Sequence, residues 1–103
     1  MRNRRGGINV AEFKAEKEVF KAAIEKYGQK AQTAMFIEEA AELTKEICKN
    51  WRGQSNEERI AEEIADVEIV LDQLKIIYGV TGKVHDYRIK KIKRLKQRLQ
   101  DAE

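Results

Sequence analysis

Apolar residues recur every three or four positions along most of the chain, and glycines interrupt the pattern at three places. Together these predict four amphipathic helices. The first runs from Asn9, where Asn9 and Glu12 make a capping-box-like start, through Phe13, Phe20 and Ile24 to Tyr27, and ends at Gly28. The second spans about Lys30 to Trp51. Its row Phe36, Ala40, Leu43, Ile47 and Trp51 is widened by Ala34, Ile37, Ala41 and Cys48 to predict a broad buried face. Gly53 stops it, and Ser55 with Glu58 offers a second capping box. The third helix follows, with Ile60, Ile64, Val67, Leu71, Leu74 and Tyr78 as its row. After a break at Gly79 to Gly82, the last helix, about Lys83 to Gln100, has one apolar row, Val84, Ile89, Ile92, Leu95 and Leu99, and is otherwise basic.

Short connections favour antiparallel neighbours, so the expected fold is all-α, a four-helix bundle-like subunit. The third helix also carries Ile69, Val70, Ile76 and Ile77, an apolar arc too wide for its neighbours in one small subunit, which predicts a homo-oligomer with the third helix near the interface. The chain has 103 residues, one cysteine and no proline, with 42% apolar and 38% charged residues. That is a single domain built without disulfides, which fits a cytoplasmic protein. No apolar run reaches membrane-spanning length, and no signal core follows Arg2, Arg4 and Arg5. The basic start ending in Gly6 and Gly7 predicts disorder over 1–8, leaving 9–103 as the domain.

Charge is unevenly placed. Residues 83–103 carry eight basic and three acidic groups, while 8–82 carry ten basic and fifteen acidic. The chain therefore offers a basic surface to an anion and a carboxylate-rich centre to a cation. The second helix reads Glu38-Glu39-Ala-Ala-Glu42 and the third Glu62-Glu63-Ile-Ala-Asp66. Glu39 with Glu42, and Glu63 with Asp66, are i, i+3 pairs whose carboxylates reach a common point. One such pair alone is ordinary solvated surface. Glu63 and Asp66, however, share a side with Val70, Leu74 and Ile77, and Glu38, Glu42 and Glu46 form a like-charge i, i+4 series that a cation would relieve, Lys45 and Lys49 offsetting part of it. An all-carboxylate set suits Mg²⁺, or Mn²⁺, and an ion that joins carboxylates to polyphosphates. A di-iron site needs Glu-x-x-His pairs, and His85, the one histidine, has Gly82 three positions before it.

These two motifs, in this order and on two helices, resemble the signature of MazG-like all-α nucleoside triphosphate pyrophosphohydrolases, over nearly the whole chain. The resemblance implies a homodimer or a dimer of dimers that cleaves a (d)NTP to the (d)NMP and pyrophosphate, as in nucleotide-pool house-cleaning. It implies Glu39, Glu42, Glu63 and Asp66 as magnesium ligands. Glu38 and Glu62 then stand behind them, or Glu38 binds a further metal or orients the attacking water; Glu38 and Glu39 are the candidate catalytic carboxylates. On the last helix Lys91, Arg94 and Arg98 share a face and are candidates for phosphate contacts from the same or a partner subunit; a solvated basic face is the plain alternative. Lys91 and Arg98 fit the family's pattern, but Leu95 stands where members commonly carry Asn.

Trp51 is a candidate for stacking on the base, although an aromatic continuing an apolar row also reads as core. Val70 reads as an apolar pocket wall, Lys30 and Gln32 as helix-start surface, His85 as surface or packing, and Cys48 as a small buried hydrophobe. A different reading is a small helical nucleic-acid-binding or regulatory protein using the basic last helix, but only Tyr87 interleaves its charges and no helix-turn-helix signal is present. Nucleic acid and membrane are accordingly not the expected partners. A structural coiled-coil adaptor would leave the four acids unexplained.

Overall fold

The computed structural model describes residues 9–102, so the expectation for 1–8 lies outside the described residues. Four helices, α1 (Val10–Tyr27), α2 (Gln29–Trp51), α3 (Glu57–Ile77) and α4 (Thr81–Asp101), account for nearly all of them, and no strand occurs among them. The protein is all-α.

Local chemistry sets the boundaries. Asn9 Oδ1 accepts the Glu12 backbone N–H at 2.8 Å, which caps α1 as its sequence predicts. At Gly28 the chain turns with φ +92° and ψ 153°, a region open essentially to glycine, and its N–H closes α1 on the Ile24 carbonyl at 2.9 Å. Gly28→Ala is expected to cost about 1–3 kcal/mol through this strain, since no neighbouring atom would meet the added Cβ. A urea unfolding series checks it. The predicted capping box at Ser55 and Glu58 does not form. Asn56 precedes α3 without capping it, because its side chain is drawn into the α2–α3 turn instead. The last helix begins at Thr81, so Gly82 lies inside it.

Packing centres on the antiparallel hairpin of α2 and α3. α1 lies against both, and α4 touches only α3 among the helices. Equal steps in opposite directions set the register: Gln32 meets Gln73 and Glu39 meets Asp66, then Glu39 meets Glu63 and Glu46 meets Asn56. On α2 the seam follows Gln32, Phe36, Glu39, Leu43, Glu46 and Asn50, the four-three spacing of helices that cross at a shallow angle. On α3 it follows Glu63, Asp66, Val70, Gln73 and Ile77. Of the row predicted to be buried, Ile64, Leu71 and Tyr78 are exposed and Ile60, Val67 and Leu74 half-buried, since the contact face is turned about 100° from it at 100° per residue. Likewise Ala34, Ile37 and Ala41, the expected flank of α2, are exposed, as is Trp51.

A single copy does not close into a four-helix bundle. Its radius of gyration is 16.6 Å, against about 13 Å for a compact chain of this length. Among the described residues Val70, at 3% exposure, is the one buried hydrophobe, while seventeen large ones are exposed. No helix is long and apolar enough to cross a membrane.

Candidate metal centre

Half of the α2–α3 seam is polar, and the polar residues occur at three levels. At one end Gln32 Nε2 donates to Gln73 Oε1 at 2.6 Å, both side chains being buried. Gln32 was expected at the surface; its place on the seam beside Glu39, seven residues on, is the signal that would have buried it. Val70 is core, not the accessible wall predicted for it.

At the other end Glu46, 5% exposed, accepts from Asn56 Nδ2 at 2.9 Å and from Lys49 Nζ at 3.1 Å, and Asn56 also donates to the Glu46 carbonyl at 2.9 Å. Asn50 Nδ2 supports Asn56 Oδ1 at 3.2 Å. The hydrogen bond from Asn56, followed by that from Lys49, holds the Glu46 carboxyl below the usual carboxylate range. Glu46 therefore locks the hairpin turn and needs no further cation, with Lys49 supplying the relief foreseen for it. Asn56→Ala is expected to lower the melting temperature by several degrees, measured at pH 7, with the loss shrinking as pH falls through the folded-state pKa of Glu46.

Between these levels stand the acids. Carboxylate oxygens of Glu39 from α2 and of Glu63 and Asp66 from α3 lie within 4.8 Å of one another, all three side chains half-buried. Burial raises the Glu39 carboxyl, with the charges of Asp66 and Glu63 adding to the effect. Glu63 is raised too, by burial first and then by the charges of Asp66, Glu42 and Glu62. Its Oε2 is buried and accepts no hydrogen bond.

The predicted set is thus brought together in part. Glu39, Glu63 and Asp66 converge. Glu42 lies about 80° round α2 from the seam, exposed, and reaches the cluster only through its charge on Glu63. Glu38 and Glu62 are also exposed and outside the three. Trp51, 81% exposed, is not core, and at 1.5 Å per residue it lies about 18 Å along α2 from Glu39, too far to stack on a base held at the acids of its own copy. Lys91, Arg94 and Arg98 are exposed on α4, which makes no contact with α2. His85 is exposed, in keeping with its surface reading, and Cys48 is a half-buried free thiol.

The donor set fits a hard divalent cation. Magnesium binds oxygens at about 2.0–2.1 Å, which places adjacent ligands roughly 3 Å apart and opposite ones roughly 4 Å apart, so small side-chain adjustments would seat three oxygens on one ion. The unpartnered Glu63 oxygen is the atom such an ion would satisfy. A separate hollow between α1 and α3, lined by Phe13, Phe20 and Ile76 with Lys17 and Lys75, holds about 110 Å³, well below the roughly 300 Å³ at which small-molecule clefts begin. No family model, curated protein or solved structure matches the chain.

Proposed function

We propose that the protein is a Mg²⁺-dependent nucleoside triphosphate pyrophosphohydrolase acting as a homo-oligomer. The observation that carries the reading is the convergence of Glu39, Glu63 and Asp66 from two helices around a buried, unpartnered carboxylate oxygen. The resemblance of the two acidic motifs to MazG-like enzymes supports it. Bound at these acids, Mg²⁺ or Mn²⁺ would neutralise and orient the triphosphate. Glu39, Glu63 and Asp66 would be its protein ligands, joined by Glu42 if that side chain swings inward.

The reaction adds water to the α-phosphorus and breaks its bond to the bridging oxygen of the β-phosphate, giving the monophosphate and pyrophosphate. Glu39, the α2 member of the three, would help to orient the attacking water, whose proton passes to solvent, and a cation bound there would offset the burial and neighbouring charge that raise its carboxyl. Glu38 is exposed and lies about 100° round α2 from Glu39, so it would share in orienting that water only if the site closes further in the assembly. Lys91, Arg94 and Arg98 supply charge for phosphates, and because α4 stays clear of α2 they would act from another copy. Oligomerisation is supported by the near-absence of a buried apolar core in one copy, since apolar exposure on this scale marks an interface. A cytoplasmic setting suits a nucleotide substrate and a free thiol.

A panel of ribo- and deoxyribonucleoside triphosphates, assayed for pyrophosphate with Mg²⁺ and with EDTA, tests the reading. Magnesium-dependent release from at least one is expected; none from the folded protein would refute it. A second reading is favoured by one observation, the complete exposure of α4 with its eight basic side chains. A nucleic-acid-binding protein would lose affinity steeply with salt, with a slope of about −0.9 per phosphate contacted.

A further inference from the structure

We propose that one side of the α2–α3 hairpin is a self-association surface, on which the same side of a second copy's hairpin packs to complete a four-helix core. The proposal rests on the homo-oligomer reading and names the surface through which the copies join.

Helix geometry gathers the surface. At 100° per residue, Ile37, Ala40, Thr44, Ile47 and Trp51 lie about 65–145° round α2 from the seam, and the row of α3 from Ile60 to Tyr78 lies about 60–140° round from its own, in the same rotational sense. Because the helices are antiparallel, offsets of one sense put both sets on a single side of the hairpin. The other side holds Glu38, Glu42 and Glu62, and there Ile76 meets α1 across the hollow lined by Phe13 and Phe20. Within these spans the shared side carries no charged residue. Ile37, Trp51, Ile64, Leu71 and Tyr78 stand exposed on it in one copy.

Spacing, size and charge select a second hairpin as the occupant. The row of α3, Ile60, Ile64, Val67, Leu71, Leu74 and Tyr78, steps by four and three throughout, the repeat with which helices pack at a shallow angle. A face about 25 Å long and two helix diameters, about 20 Å, wide offers roughly 500 Å² in projection, so two copies bury about 1,000 Å² or more, enough for a specific dimer. A side without charge meets its own copy without like-charge repulsion. α4 is the rival cover, and its row fits poorly. Arg88 stands within it between Val84 and Leu99, Lys91 and Arg98 flank it, and this side of the hairpin has no acid to answer them. Hairpin on hairpin closes about a two-fold axis and covers the apolar surface of a copy in which Val70 is the one buried hydrophobe among the described residues. The opposite side stays open, so substrate would reach Glu39, Glu63 and Asp66 from the side of Glu42 and Glu62.

Sedimentation velocity of the full chain tests the surface with three variants. Ile64→Glu with Leu71→Glu should raise the dimer dissociation constant by about 100-fold or more, since each copy would have to bury two unpaired carboxylates. Ile69→Glu, about 80° round α3 on the other side of the seam, and Leu95→Glu on α4 should leave it within about threefold. Should the double variant unfold, hydroxyl-radical footprinting of the wild type above and below its dimer dissociation constant decides the matter. Association should then protect Ile64, Leu71 and Trp51 and leave Ile69 and Leu95 unchanged. A dimer indifferent to the double substitution or weakened equally by all three variants, or protection confined to Ile69 or α4, overturns the surface and leaves the oligomer reading standing. A wild-type chain that sediments as a monomer at every concentration overturns both.

Discussion

Glu39→Gln and Asp66→Asn are each expected to lower kcat/KM for the preferred triphosphate on the order of 10³-fold, about 4 kcal/mol of transition-state stabilisation. Both replacements keep side-chain volume and remove one anion from a group of three whose oxygens lie within 4.8 Å. The helices should be unaffected, since the acids destabilise the seam when no cation is bound. Circular dichroism beside steady-state kinetics checks this. Glu42→Gln should cost far less, because Glu42 is exposed outside the group. Equal losses at Glu42 and Glu39 would mean that the working site closes further than the arrangement of one copy.

The second large effect concerns stability. Burial and neighbouring charge hold the folded-state pKa of Glu39 and Glu63 above that of the unfolded chain. Both groups therefore favour the fold below the ordinary carboxylate range, and that contribution is lost as pH rises through their folded values. Glu46 and Glu57 work in the other sense. Glu46 is lowered chiefly by Asn56 and Glu57 by its own backbone N–H, so they contribute above the ordinary range and lose it as pH falls through their folded values. Without divalent cation, Glu63→Gln is expected to melt above wild type at pH 7.5, with the gap closing towards pH 4. Magnesium should reverse the order at pH 7.5. At one hundred times Kd, mass action adds about 2.7 kcal/mol, roughly 10 °C or more for a domain of this size. Thermal melts with Mg²⁺ and EDTA at the two pH values check this; equal magnesium shifts in both proteins would remove Glu63 from the site.

The helices were legible because their ends are marked locally. Asn9 and Glu12 open α1, and Gly28 must turn where a side chain would strain. The failed cap at Ser55 shows the limit of local signals, since Asn56 is committed to Glu46, ten residues back. The face of α3 was harder to read. Its apolar residues surround too much of the helix for a moment to point anywhere, and the better guide was polar: Glu63 and Asp66 on the side of Val70 do face α2. Glu42 was placed with the cluster by its i, i+3 spacing and by the family resemblance, and the four-three seam through Glu39 and Leu43 carries it aside in one copy. The Gln32–Gln73 pair depends on the register between helices, which one strand of sequence does not state. Trp51 and Ile37 are exposed for a different reason, the absence of a covering surface within one copy.

The central claim is that these acids serve phosphoanhydride cleavage at the α-phosphorus, and ³¹P NMR of a triphosphate turned over in H₂¹⁸O with Mg²⁺ tests it most directly. Nucleoside monophosphate carrying the ¹⁸O-shifted resonance, unlabelled pyrophosphate, and no products with EDTA are expected. Diphosphate with labelled inorganic phosphate, or an unchanged triphosphate spectrum across the panel, would contradict it.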